Sequence, residues 1–162
     1  MKTLILVRHG KSSWDYSVDD KDRPLQERGI NDGHLVSKKF KSKDVAIDAV
    51  FSSPANRALH TCMIFLRQIN IPFTKLQVTN DLYDFSGESV LKFVKKLDDR
   101  FDTVMIFGHN DAFTNVANSL GNSYIDSVPT TGLVQLDFEV KGWASVTKGT
   151  TTQTIFRKDL NK

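Results

Sequence analysis

The sequence contains a single cysteine and no long apolar run. One cysteine, Cys62, excludes an internal disulfide and a zinc site built from several cysteines. No stretch approaches the ~20 apolar residues of a membrane span. The apolar run before Arg8 is also too short for the apolar region of a signal peptide. We therefore expect a cytoplasmic protein that makes no contact with a membrane.

Neither sign of charge dominates, since 22 Lys+Arg stand against 19 Asp+Glu. No cluster of basic residues is interleaved with aromatics, so we expect no nucleic-acid partner. The composition, 40% hydrophobic and 25% charged, is that of a globular protein and argues against disorder. A chain of 162 residues predicts one domain spanning residues 1–162. These properties leave the oligomeric state open.

Apolar runs alternate with segments of helical spacing along most of the chain. Strands are predicted at residues 4–7, 46–51, 76–78 and 104–107, and helices at about 26–40, 54–69, 88–97 and 112–120. The C-terminal region predicts strands at 132–140, 143–147 and 152–156, with a hairpin turn at Lys141 and Gly142. The alternation predicts a three-layer α/β/α sandwich with a mostly parallel central sheet and antiparallel edge strands from the C-terminal region.

Basic side chains follow three of the predicted strands. Arg8 and His9 follow the first, and His109 follows the fourth. Arg57 follows the second, in a helix for which Ser53 is the predicted N-cap and Pro54 the first residue. Ligands of open α/β sheets bind beyond the carboxyl ends of the strands, so these side chains are expected to share one pocket.

A pocket with two arginines and two histidines is expected to bind an anion. Phosphate is the obvious candidate, because the planar guanidinium of arginine binds phosphate oxygens in bidentate fashion. Phosphoryl transfer depends chiefly on stabilising charge on three equatorial oxygens. Cationic neighbours lower a histidine's pKa, so Arg8 and Arg57 keep His9 neutral and able to act as a nucleophile. Gly10, which has no Cβ, lets the backbone approach the phosphate closely.

The segments LVRHGKSSW, SSPANRALHT and FGHND occur in this order. Together they resemble the histidine phosphatase superfamily, the RHG-motif group that includes phosphoglycerate mutases. DDKDRPLQERG (residues 19–29), the short chain and LYD at residues 82–84 look most like the SixA-type phosphohistidine phosphatases. The resemblance implies a hydrolase that forms a phosphohistidine at His9, with Arg8, Arg57 and His109 lining the phosphate pocket.

The residue that protonates the leaving group is open. Many members of the resembled family carry a glutamate or aspartate in an L-x-E setting, and Asp84 fits this setting. Asp111, one place beyond the position used in another branch, and Glu88 are the alternatives. A phosphoramidate such as phosphohistidine needs less acid catalysis than an alkyl phosphate, so an imperfectly placed acid favours a phosphohistidine-containing protein as substrate.

Two other functions compete with that hypothesis. One is a phosphatase or mutase acting on small phosphate esters, and the other is a phosphate-binding module without catalysis. We expect no cofactor and no catalytic metal, because the histidines are dispersed and H-E-x-x-H is absent from the sequence. Arg23 is expected in a loop salt bridge or at the substrate, and Trp14 and Tyr16 either at the pocket rim or in a cluster anchoring their loop.

Overall fold

A six-stranded sheet organises the computed structural model, which describes residues 1–160. The expected domain also includes residues 161 and 162, which lie outside the described residues. The strands are β1 (Lys2–Arg8), β2 (Ala49–Ser52), β3 (Leu76–Val78), β4 (Thr103–Gly108), β5 (Leu133–Phe138) and β6 (Thr150–Ile155). The helices are α1 (Glu27–Lys41), α2 (Asn56–Gln68), α3 (Glu88–Lys95) and α4 (Ala112–Leu120).

The strands lie in the order β3-β2-β4-β1-β5-β6, and the first four are parallel to one another. β1 and β4 lie in the middle of the sheet because their apolar residues are buried on both faces. Their register pairs Arg8 with Gly108, so the two strands end side by side. β2 ends beside β4, with Ser52 opposite Phe107. The carboxyl ends of β1, β2 and β4 therefore lie side by side at the same end of the sheet.

Two apolar clusters confirm the three layers. Alternate residues of β1 point to opposite faces, so Leu4 and Leu6 belong to one cluster while Ile5 and Val7 belong to the other. Helices α3 and α4 cover the first face with Val90, Val94, Phe113 and Val116. Helices α1 and α2 cover the second with Val36, Phe40, Phe65 and Leu66. The sheet is therefore covered by helices on both sides.

The C-terminal region supplies the antiparallel strands, as predicted, but differs in detail. β5 pairs with β1 and β6 pairs with β5, so of these two antiparallel strands β6 lies at an edge of the sheet and β5 lies inside it. The strand predicted at 143–147 is wrong, because Trp143–Ser145 is a single 3₁₀ turn. Trp143 is fully buried and its indole Nε1 donates to the Phe101 carbonyl. The segment after β5 therefore forms a 3₁₀ turn held by the buried Trp143, instead of the hairpin expected at Lys141 and Gly142.

The start of α2 also differs from the prediction. The helix begins at Asn56 with Ala55 as its N-cap, two residues later than the sequence pattern indicated. The Ser53 hydroxyl accepts a hydrogen bond from the Ala55 amide and also lies 2.8 Å from His109 Nε2. Ser53 therefore orders the turn between β2 and α2 and contacts the neighbouring strand end.

No helix in the part of the chain that the structure describes combines the length and hydropathy needed to span a membrane.

Candidate active site

The four basic side chains singled out from the sequence meet beyond the carboxyl ends of β1, β2 and β4. The rings of His9 and His109 lie 5.3 Å apart between centroids, and Arg57 Nη2 lies 3.4 Å from His109 Nδ1. Arg8, His9 and Arg57 line one cavity of about 320 Å³. His9, Arg57 and His109 are all buried. The parallel sheet therefore brings together residues up to 101 positions apart, from Arg8 to His109.

His9 is held in a single tautomer. Its Nδ1 lies 2.7 Å from the Gly10 carbonyl, which can only accept, so Nδ1 carries the proton. The pKa of His9 falls to about 3, chiefly because burial disfavours the charged ring and also because His109, Arg57 and Arg8 are close. The hydrogen bond to Gly10 opposes this shift. At neutral pH the imidazole is uncharged, and Nε2 carries a free lone pair.

Backbone contacts hold the His9 segment from three sides. The His9 amide donates to Gly108, and the His9 carbonyl accepts from the Thr131 amide. The Gly10 amide donates to Thr61 Oγ1 at 2.9 Å. A Cβ on Gly10 would lie 3.0 Å from the Gly29 carbonyl oxygen, tighter than nearly all real Cβ contacts. A side chain at this position would therefore require the Gly29 backbone to shift by a few tenths of an ångström.

Thr61 was not identified from the sequence. It lies one turn after Arg57 on α2, and its hydroxyl donates to the Arg57 carbonyl at 2.8 Å. The same oxygen accepts the Gly10 amide, so Thr61 links the helix that carries Arg57 to the loop that carries His9. Its spacing of four residues from Arg57, on the same helix face, is the signal that the sequence offered.

His109 uses both ring nitrogens. Its Nδ1 faces the Arg57 guanidinium, which can only donate, so Nδ1 is the acceptor and Nε2 carries the proton toward Ser53 Oγ. The pKa of His109 falls to about 3, first through burial and then through the charge of Arg57, while Asp20 acts in the opposite direction. His109 is therefore neutral and orients Arg57.

Asp20 is a second residue that the sequence motifs did not identify. Its carbonyl accepts from Arg57 Nη1 at 2.6 Å, and its carboxylate Oδ2 accepts from Arg57 Nη2 at 2.9 Å. The Tyr83 hydroxyl donates to the same Oδ2 at 2.5 Å. Burial raises the pKa of Asp20, but Tyr83 and Arg57 outweigh it and the pKa falls to about 2. Asp20 is ionised at neutral pH.

Asp84, the first candidate for the general acid, accepts hydrogen bonds on both carboxylate oxygens. Its Oδ2 accepts from the amides of Gly87 and Val90, and its Oδ1 accepts from the amide and hydroxyl of Ser86. These bonds satisfy amides at the start of α3. Burial acts to raise the pKa of Asp84, yet the hydrogen bonds lower it overall. A carboxylate held in this way is poorly suited to donate a proton, so we propose that Asp84 orders the start of α3 rather than acting as the general acid.

The two alternative acids are both exposed at the surface. Glu88 pairs with Lys92 on α3 at 3.7 Å. Asp111 is close enough to Arg8 for its charge to raise the pKa of the guanidinium, against a larger opposing effect of burial. Neither residue lines the cavity that contains His9.

The lining of that cavity is strongly cationic. Arg8, Lys11, Arg23 and Arg57 face one acidic residue, Asp20. Arg23 is buried, donates to Ser12 and Ser13, and forms a 3.3 Å salt bridge with Asp20. Arg23 therefore forms the loop salt bridge that was one of the two expectations, and it also lines the cavity. Within residues 1–160 no group of three or more His, Cys, Asp or Glu side chains is placed to hold a metal ion.

Exposed aromatic rings surround the mouth of the cavity. Trp14 is 76% exposed and stacks on Arg23, whose guanidinium carbon lies 3.3 Å from the ring centroid. Phe85 is 45% exposed and its ring lies 4.9 Å from that of His109. Tyr16 is 61% exposed on the same loop as Trp14 but does not line the cavity. Trp14 is therefore at the rim, as one of the two expectations had it.

Comparison with known proteins places these features in a family. Residues 4–89 match the sequence profile of the histidine phosphatase superfamily (branch 1). A 2,3-bisphosphoglycerate-dependent phosphoglycerate mutase of Beijerinckia indica is 35% identical over 94 residues, which cover 53% of this chain but 45% of the mutase. An uncharacterized protein of Mycobacterium tuberculosis is 28% identical over 88% of this chain and 93% of its own length.

Solved structures resemble the chain over nearly its whole length. The protein histidine phosphatase SixA complexed with tungstate superimposes with a TM-score of 0.84 at 21% identity, covering 98% of this chain and 99% of that one. A putative phosphohistidine phosphatase SixA from Agrobacterium tumefaciens gives a TM-score of 0.77 at 20% identity, covering 96% and 97%. At these identities the likeness establishes the shared fold.

Proposed function

Because the chain belongs to the histidine phosphatase superfamily, we propose that it is a metal-independent phosphatase that works through a phosphohistidine formed at His9. The observation that carries the proposal is the state of His9, whose Nε2 lone pair is free because Nδ1 donates to Gly10. Its low pKa keeps that lone pair available at neutral pH. A module that only binds phosphate has no need of such a nucleophile.

The reaction has two displacements at phosphorus. In the first, His9 Nε2 forms a bond to phosphorus as the bond to the leaving group breaks. In the second, water attacks the phosphorus of phospho-His9, and the ring leaves as the neutral imidazole because Nδ1 keeps its proton. The guanidiniums of Arg8 and Arg57 supply the positive charge that the transferring phosphoryl group requires. Within residues 1–160 their buried Nε atoms have no hydrogen-bond partner, so these donors are uncommitted.

The proposed substrate is phosphohistidine carried on a protein. Phosphohistidine with a proton on its second ring nitrogen leaves as neutral imidazole, so the first displacement needs no acid. Asp84 caps a helix and the other two candidate acids lie outside the cavity, which disfavours alkyl phosphates with poor leaving groups. Exposed aromatics such as Trp14 and Phe85 at the rim suit contact with another protein.

A second candidate is a phosphatase or mutase for small phosphate esters. The observation in its favour is the 35% identity to a phosphoglycerate mutase, although the chain spans less than half of that mutase's length. The activity of the whole mutase therefore does not transfer directly to this chain.

A comparison of substrates tests the proposal. The enzyme is assayed on a histidine-containing protein phosphorylated chemically with phosphoramidate, and on 3-phosphoglycerate and p-nitrophenyl phosphate. We expect a kcat/KM at least tenfold higher for the phosphoprotein than for either ester. A clear preference for 3-phosphoglycerate would favour the second candidate, and no turnover of any substrate would leave only a binding module.

A matched pair of variants separates recognition of the protein from recognition of the phosphate. Trp14→Ala is expected to raise KM for the phosphoprotein while leaving hydrolysis of p-nitrophenyl phosphate within about twofold. Phe73→Ala is the control, because Phe73 is also exposed and also lies against an arginine, Arg67, but precedes β3 at the far end of the sheet. Equal effects of Trp14→Ala on both substrates would contradict protein recognition at this rim.

A further inference from the structure

Among residues 1–160, Asp20 is the one acidic side chain of the cavity lining. Its side chain is 42% exposed, whereas that of Arg57 beneath it is 2% exposed. His9, which lines the same cavity, is 8% exposed. Asp20 therefore lies on the solvent side of the phosphate pocket, and His9 lies at its base.

The contacts of Asp20 compete with those that a phosphate requires. One Nη2 proton of Arg57 goes to Asp20 Oδ2 and the other faces His109 Nδ1, while Nη1 donates to the Asp20 carbonyl. A phosphoryl group that binds both terminal nitrogens of Arg57 needs an Nη2 proton that Asp20 Oδ2 or His109 Nδ1 now accepts, so its binding competes with Asp20. The contacts of this carboxylate with Tyr83, on the same Oδ2, and with Arg23, on Oδ1, hold it at the cavity mouth.

The position of Asp20 on the solvent side of the pocket matters because of the geometry of phosphoryl transfer. The attacking and leaving atoms at phosphorus lie roughly in line. With His9 Nε2 on phosphorus from the base of the cavity, the attacking water arrives from the open side. Asp20 is the carboxylate on that side. Asp84, by contrast, has both oxygens occupied by helix amides and the Ser86 hydroxyl.

We propose that Asp20 is the general base for hydrolysis of phospho-His9, a role that rests on the proposed function. Its carboxylate accepts a proton from the water as the oxygen bonds to phosphorus. The bond between phosphorus and His9 Nε2 breaks, returning its electron pair to the ring, and the proton passes from Asp20 to solvent. A base must be ionised before it acts, and Asp20 is ionised at neutral pH. Where phosphate takes the Nη2 proton from Asp20, one of the contacts that lower the pKa of this carboxylate is lost.

The assignment predicts that the two displacements respond differently to Asp20. The first needs no base, so Asp20→Asn leaves phosphorylation of His9 largely intact. The second loses its base, and general base catalysis is worth about 10²–10⁴-fold. Phospho-His9 is therefore expected to accumulate in the variant and to disappear about 10²-fold or more slowly than in the wild type.

Rapid-quench labelling with radioactive phosphoramidate, followed by a chase with unlabelled donor, measures both rates. The control is Asp22→Asn, which removes the same charge from the same turn at a residue outside the cavity lining. Its label is expected to form and decay as in the wild type. If Asp20→Asn labels slowly and loses its label at the wild-type rate, Asp20 is a clamp for Arg57 and the proposal is overturned.

Two further measurements distinguish the proposed role of Asp20 from that of Tyr83 and from a purely structural role. Tyr83→Phe removes the hydroxyl that donates to Asp20 but keeps the carboxylate, so decay is expected to slow by less than about threefold. A slowing equal to that of Asp20→Asn would move the role to Tyr83. Formate added to Asp20→Ala is expected to accelerate decay, and absence of rescue would count against a base. Failure of the wild type itself to label would instead contradict the proposed function.

Discussion

Replacing Asp84 by asparagine is expected to weaken the fold without removing a catalytic proton. In the wild type one carboxylate oxygen accepts the amides of Gly87 and Val90, at 3.0 and 3.1 Å. The other accepts the amide and the hydroxyl of Ser86, at 3.0 and 3.2 Å. Asparagine keeps one acceptor oxygen and turns an NH₂ group toward the remaining donors, so one of the two pairs of hydrogen bonds is lost.

The size of the effect follows from the loss of a helix cap. Removing a capping side chain costs about 0.5–2 kcal/mol of stability. Because asparagine keeps part of the acceptor set, we expect Asp84→Asn to lower the free energy of unfolding by about 1 kcal/mol. For a chain of this length, 1 kcal/mol lowers the melting temperature by roughly 2–4 °C. The partial exposure of Asp84 argues for the lower half of that range.

Thermal unfolding and steady-state hydrolysis of p-nitrophenyl phosphate measure the two properties on the same sample. The control is Glu88→Gln, an exposed carboxylate in the first turn of α3 whose partner is Lys92. We expect Asp84→Asn to melt lower than the control and to keep kcat within about twofold. An unchanged melting temperature combined with a tenfold loss of kcat on esters would refute the cap and restore Asp84 as the acid.

Three other predictions address the hydrogen bond that holds the loop of His9, the charge state of His9 and His109, and the thiol of Cys62. Thr61→Val leaves the Gly10 amide buried without its acceptor, so denaturant titrations are expected to show a free energy of unfolding about 1–3 kcal/mol lower, with a lower kcat. Thr61→Ser keeps the hydroxyl and is expected to retain both the stability and the kcat of the wild type, so equal losses in the two variants would contradict the role of the hydroxyl. The pKa values of His9 and His109 lie near 3 in the folded chain, below their ordinary 6.5, so the unfolded chain binds more protons and stability falls as pH drops below 6.5. Denaturant midpoints at pH 7 and 4.5 measure this, and a higher midpoint at pH 4.5 would contradict it. Cys62 is fully buried and burial raises the pKa of its thiol, so iodoacetamide is expected to leave activity unchanged, and stoichiometric inactivation would contradict that.

The part of the site that follows from sequence is the part fixed by the sheet. Arg8 and His109 each follow a short apolar run, and parallel neighbouring strands must end at the same edge. Arg57 follows because β2 leads into α2 at that edge. Local patterns and one topological rule were therefore enough to bring these side chains into one pocket.

The remaining features depend on contacts that local patterns do not specify. Asp20 reaches Arg57 from a loop 37 residues away, and nothing near Asp20 in sequence indicates that partner. Asp84 fits the pattern of a catalytic acid, but the pattern does not show that helix amides occupy its oxygens. Trp143 lies in a segment with strand-like composition, and its buried indole bond to Phe101 favours a 3₁₀ turn instead.

The most direct test of the central claim is to locate the phosphoryl group on the enzyme during turnover. The wild-type protein is quenched in alkali after brief reaction with radioactive phosphoramidate, digested and sequenced by mass spectrometry. We predict an acid-labile, alkali-stable phosphoryl group on Nε2 of His9, and no label in His9→Ala, whose fold is checked by circular dichroism. Label on another residue, or sustained hydrolysis by His9→Ala, would contradict a phosphohistidine intermediate at His9.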